Sequence, residues 1–115
     1  MSKLIPQPLL SAIPDLYSTE NSKDPICHVK LFTPDSSWSW YITEISKSDN
    51  DTCFGYIVGL ENELGYFSLS EIESVRGHLG LEVERDTQFI PTLLSKVKND
   101  TTVQRSSVQY QHKQI

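Results

Sequence analysis

The sequence predicts an α+β domain: a mostly antiparallel sheet of about four to five strands with short helices packed on one side. Three observations carry this expectation. Runs with a two-residue apolar period recur between Ile26 and Phe89, the spacing of half-buried strands. Turn residues break those runs at short intervals, at Asp24-Pro25, Pro34-Asp35-Ser36-Ser37, Ser46–Asp51 and Glu61-Asn62-Glu63, as hairpins require. A serine-to-glutamate spacing at 68–73 then opens a helix after consecutive strands, an order that fits α+β.

Taken in order, Pro6–Ile13 predicts a short helix, started near Pro6 or Pro8 and stopped by Pro14. Tyr17–Lys23 is a polar loop. From Ile26 to Thr33, Cys27, Val29 and Leu31 share one strand face while His28 and Lys30 share the other. The next strand places Trp38, Trp40 and Ile42 together. Cys53–Leu60 follows, with Phe54, Tyr56, Val58 and Leu60 on one side and Gly55 and Gly59 on the other. The glycines leave room for bulky neighbours, and the tryptophans of the preceding strand are the candidates. Leu64–Ser68 completes a meander.

Ser68 or Ser70 then caps a helix, with Glu71 or Glu73 at capping-box spacing, Ile72 and Val75 facing inward, and Gly77 or Gly80 at its end. Leu81–Phe89 predicts a last strand, and Thr92–Lys98 a terminal helix. Residues 1–98 therefore read as one domain. Residues 99–115 lack apolar periodicity and read as a disordered tail.

A chain of 115 residues, 37% hydrophobic and 10% aromatic, closes one modest core. Its apolar runs fall well short of the roughly 20 residues that cross a bilayer. The proline-broken start MSKLIPQPLL is unlike a secretory leader. Cys27 and Cys53 read as reduced packing thiols, and the expected compartment is the cytoplasm.

The charge is unevenly placed. Seven acids (Glu61, Glu63, Glu71, Glu73, Glu82, Glu84 and Asp86) face only Arg76 and Arg85 between positions 61 and 86. The remaining eight acids and eight bases cancel, so this stretch holds the whole net charge of −5. That pattern excludes the basic footprint of a nucleic-acid binder. It suits a docking patch for a basic protein partner. Glu71 and Glu73 are explained by the positive end of a helix, which leaves Glu61, Glu63, Glu82, Glu84 and Asp86 as the candidate partner-binding residues.

Catalytic signatures are weak. Adjacent Cys27 and His28 point to opposite faces of a strand, so a shared metal or a Cys–His pair is disfavoured. Phosphate-loop, dinucleotide and nucleophile-elbow motifs do not occur. No catalytic residue, metal or cofactor is assigned. The i,i+2 pairs Glu61/Glu63 and Glu82/Glu84 keep one alternative open, a small carboxylate-dependent hydrolase or metal-dependent enzyme. Trp38, Trp40 and Tyr41 lack the interleaved bases of a nucleobase platform and read as core.

Several strings carry a family resemblance: Leu16-Tyr17-Ser18-Thr19-Glu20, Asp24-Pro25, Phe32-Thr33-Pro34-Asp35, Trp38 and Trp40-Tyr41. The run Glu63–Gly77, Leu79-Gly80-Leu81 and Glu84-Arg85-Asp86 extend it. Over about residues 9–95 the chain resembles a small domain-of-unknown-function family encoded on bacterial plasmids, integrative elements and phage-like islands, departing at His78 and Glu82, where prolines are expected. The resemblance implies the company of mobile elements and no mechanism. With the acidic segment, it implies an interaction protein that blocks a host defence system, of anti-CRISPR or antirestriction type. Its partner would be a basic, nucleic-acid-binding effector.

Overall fold

A computed structural model describes residues 3–101. The elements are α1 (Gln7–Ala12), β1 (Ile26–Cys27), β2 (Val29–Phe32), β3 (Ser39–Ile45), β4 (Thr52–Val58), β5 (Asn62–Ser68), α2 (Leu69–Glu73), β6 (Glu84–Arg85) and β7 (Thr92–Leu93). Helical residues 94–101 follow. One antiparallel sheet has the order β5-β4-β3-β2-β6, and β1 pairs with β7 beside it. The chain is α+β and mostly sheet.

Several boundaries differ from the expected ones, each for a local reason. The run 26–33 divides at His28, whose N–H donates to the Ile42 carbonyl at 2.8 Å while Ile26 and Cys27 turn to pair with β7. Asn62 and Glu63 belong to β5, so the β4–β5 connection is tighter than Glu61-Asn62-Glu63 and closes between Gly59 and Glu61. The helix at 69 stops at Glu73, where the Ser74 hydroxyl donates to the Glu71 carbonyl at 2.6 Å; neither glycine is needed there. Gly77 instead makes room for Asp35, whose Oδ1 lies 1.7 Å from where a Cβ would stand. Asp35 Oδ2 accepts the Leu79 and Leu81 amides at 2.6 and 3.3 Å. That clamp bends 77–81 into a loop, so the strand expected over Leu81–Phe89 shrinks to β6. The terminal helix reaches Thr101, which is buried and donates to the Val97 and Lys98 carbonyls. The rest of the expected tail lies outside the described residues.

Two hydrophobic clusters lie on opposite faces of the sheet, as strand alternation demands. Leu31, Trp40, Ile42 and Cys53 pack on one face under Leu10 of α1 and Leu69 and Ile72 of α2. Tyr41, Tyr56 and Val58 pack on the other with Cys27, Leu94 and Val97. The two short helices thus share one side, and the helix at 94–101 covers the other. The expected glycine–tryptophan packing occurs at Gly59, where the Trp38 ring fills the side-chain space at 2.3 Å from an ideal Cβ.

Aspartates tie the connections down. Asp24 accepts the Ser95 hydroxyl and amide at 2.7 and 2.8 Å, anchoring the last helix. Asp51 accepts the Ser68 hydroxyl at 2.6 Å and the Ser70 amide at 2.8 Å, anchoring α2. Asp49 accepts the Thr52 amide at 3.0 Å. Hydrogen bonds from Ser95 hold Asp24, and those from Ser68 hold Asp51, below the ordinary 3.8; the Thr52 amide lowers Asp49 to about 2. With folded values below unfolded ones, their stabilisation is complete above the unfolded value and disappears as pH falls through the folded values. Thermal melts are expected to be level above about pH 5 and to drop steeply below about pH 4, with Asp51→Asn flattening the drop. A melting temperature unchanged down to about pH 2 contradicts these clamps.

Candidate functional site

The five acids singled out in the sequence are not gathered into one patch. Residues opposed across strands share a face, and two such rows locate them. Glu63 aligns with Ile57, Trp40, Leu31 and Arg85. Glu84 aligns with Phe32, Ser39, Val58 and Asn62, one residue along and therefore on the opposite face. Both rows lie at the same end of the sheet. Four strand spacings separate β5 from β6, roughly 19 Å. Glu82 lies 3.7 Å from Lys3 and 3.6 Å from Arg76. Asp86 lies 3.9 Å from Lys30 and also accepts the Gln88 amide. Among the described residues, Glu61, Glu63 and Glu84 are exposed and carry no ion pair. Charge that is continuous along the chain is divided in space because the segment crosses from one sheet edge to the other by way of α2.

Glu61 and Glu63 stand beside a second feature. β5 is a seven-residue edge strand with no described strand on its outer side. Its Leu64 and Tyr66 side chains are exposed and form one wall of a cavity of about 430 Å³. The loop from Tyr17 to Pro25 and the last helix, at Leu94 and Lys98, add to its lining.

A β-bulge builds the floor. Ile42 pairs with Gly55, but Glu44 pairs with Phe54, so Thr43 is an extra residue. The insertion reverses the alternation that follows it. Ile45 therefore joins Ile42 in the first core, while Glu44 is turned to the opposite face in line with Phe54 and Tyr66. Glu44 is only 4% exposed. Its Oε1 accepts the Tyr17 amide and Oε2 the Thr19 amide, both at 2.9 Å, and Oε2 also accepts the Thr19 hydroxyl. This buried carboxylate is fully engaged in holding the loop. It acts as a strut.

The strut holds Tyr17 in the left-handed region, at φ 69°, a conformation that costs a non-glycine residue on the order of 1 kcal/mol or more. The Tyr17 ring stays 60% exposed. A hydrogen bond to Tyr17 pushes the Tyr66 phenol above its ordinary value, and Phe54 meets Tyr66 edge-on at 4.9 Å. The groove thus presents aromatic side chains from β4, β5 and the loop, beside an open edge.

Other candidates are structural. Burial raises both Cys27 and Cys53 to about 12, so each remains a protonated thiol, and they sit in separate cores. Trp40 is buried, whereas Trp38 is 37% exposed and stacks on it at 6.0 Å. Trp38 borders a second cavity of about 420 Å³ with Arg76 and His78, but the Arg76 guanidinium already donates to the Glu73 and Val75 carbonyls. Among the described residues, no three His, Cys, Asp or Glu side chains group as a metal site, and no helix is long and apolar enough to cross a membrane.

Sequence reasoning passed over Glu44, Tyr17 and Tyr66. The available signal was Glu44 itself, an acid inside the apolar strand SWYITEI, which burial obliges to find donors.

Residues 6–104 match the family model described as a protein of unknown function (DUF2958). No curated protein and no solved structure matches the chain.

Proposed function

The chain belongs to the DUF2958 family, and we propose that it is a small non-enzymatic interaction protein that docks an acidic surface on a basic protein partner. The observation that supports this most directly is the position of Glu61 and Glu63. Both are exposed and without an ion pair among the described residues, Glu63 on the long edge strand and Glu61 in the turn that leads into it. Acids placed there speed encounter with a basic surface without an internal pair to break first.

The resemblance to a family encoded on bacterial plasmids, integrative elements and phage-like islands extends the proposal. The partner is a basic, nucleic-acid-binding effector of a host defence system, and docking inhibits it in an anti-CRISPR or antirestriction manner. Docking fits better than imitation of nucleic acid. Duplex DNA carries a charge about every 1.7 Å, whereas Glu63 and Glu84 stand roughly 19 Å apart on opposite faces.

Affinity capture from host lysate, read by mass spectrometry, tests the reading when wild type is run beside Glu61→Lys/Glu63→Lys. A basic protein retained by the wild type at low salt and lost by the double variant is the expected result. Identical captures overturn it.

A further inference from the structure

We propose that β5 receives an extended segment of the basic partner as an additional strand, the segment setting a basic residue beside Glu63 and apolar or aromatic residues over Leu64 and Tyr66. This rests on the reading of Glu61 and Glu63 as docking acids and adds how the partner is held.

The two edges of the sheet are treated differently. β6 is two residues long, which leaves little backbone to template another chain. β5 runs for seven residues, about 24 Å at the usual rise. Natural edges of that length are protected by proline, lysine, a bulge or a covering element. β5 carries no proline, lysine or bulge: its sequence is NELGYFS, its register with β4 is unbroken from Ser68 to Asn62, and no described strand lies outside it; its one charged side chain is Glu63.

The side chains specify the visitor. Leu64 and Tyr66 point to the groove face, where Tyr17 and Phe54 add aromatic surface. Alternate residues of an added strand would rest on them. The intervening residues would fall on the other face, beside Glu63, Gly65 and Phe67, where a lysine or arginine next to Glu63 finds an opposite charge at cross-strand distance. Strand addition commonly works this way, with backbone hydrogen bonds supplying affinity and alternate side chains supplying specificity. A second copy is the weaker occupant, since each chain carries a net charge of −5 and like charges repel.

The probe is a capped peptide as long as β5, alternating lysine with valine and tyrosine, and the same peptide N-methylated at alternate backbone nitrogens. Binding to the full chain is read by fluorescence anisotropy, and β5 amides by hydrogen exchange. The parent peptide is expected to bind and to slow exchange in β5. Its affinity should fall about tenfold with Glu63→Lys and stay near wild type with Glu84→Lys on the other edge. N-methylation should abolish binding. Failure of the parent peptide to bind overturns strand addition. Equal binding of the N-methylated peptide with the Glu63 dependence retained also overturns it, while leaving acidic docking intact. Binding indifferent to Glu61→Lys/Glu63→Lys removes both. Concentration-dependent protection of β5 in the protein alone would assign the edge to a second copy.

Discussion

Replacing Trp40 with alanine is expected to destabilise the fold by about 3–5 kcal/mol. Trp40 is the large residue at the centre of the first core, 6% exposed, with Leu31 opposite on β2 and Ile57 opposite on β4. Truncation removes the apolar contact of the whole indole and leaves a void that strands held on both sides cannot close. It also uncovers one face of Trp38, which stacks on it at 6.0 Å. Chemical denaturation measures the loss, and a cost below about 1 kcal/mol contradicts a core role. Fluorescence gives a second check, since one buried and one part-exposed indole should yield a blue-shifted, partly quenchable spectrum.

Glu44→Ala should cost about 1–3 kcal/mol. The change leaves the part-buried Tyr17 and Thr19 amides without their acceptor; a buried donor orphaned in this way costs about 1–3 kcal/mol, and partial exposure to water reduces that. The effect should be local in origin: amide exchange at Tyr17 and Thr19 should speed up more than at the β3–β4 pairing. Glu44→Gln, which keeps an acceptor oxygen, should recover part of the loss. An alanine variant as stable as wild type would show that the loop is held by something other than the strut.

These two residues also show how far the sequence could be read. Trp40 was legible because its alternation with Trp38 and Ile42 is a local property, and a period of two places all three on one face. Glu44 was not, because a single inserted residue at Thr43 reverses the alternation, and nothing local in SWYITEI marks where a bulge will fall. The meander followed from its turns, and α2 from its serine cap. The brevity of β6 depends on Asp35 reaching 44 residues along the chain to Leu79, a contact that no window of sequence contains. The acidic segment failed to foretell a patch for a similar reason. Composition sums charge along the chain, while the partner meets charge in space. There Glu82 and Asp86 face Arg76 and Lys30, and only Glu61 and Glu63 share the open edge.

That division of the acids permits a direct test of the central claim, that the β5 edge is the docking surface. Association of the captured basic partner should be timed for wild type, Glu61→Lys/Glu63→Lys and Glu84→Lys, at low and at high salt. Steering by exposed charges raises association rates by about tenfold or more at low ionic strength and fades as salt screens it. The edge variant should therefore associate about tenfold more slowly at low salt and match wild type at high salt, while Glu84→Lys stays close to wild type throughout. Equal low-salt rates for wild type and the edge variant, or an equal slowing by Glu84→Lys, would contradict the claim.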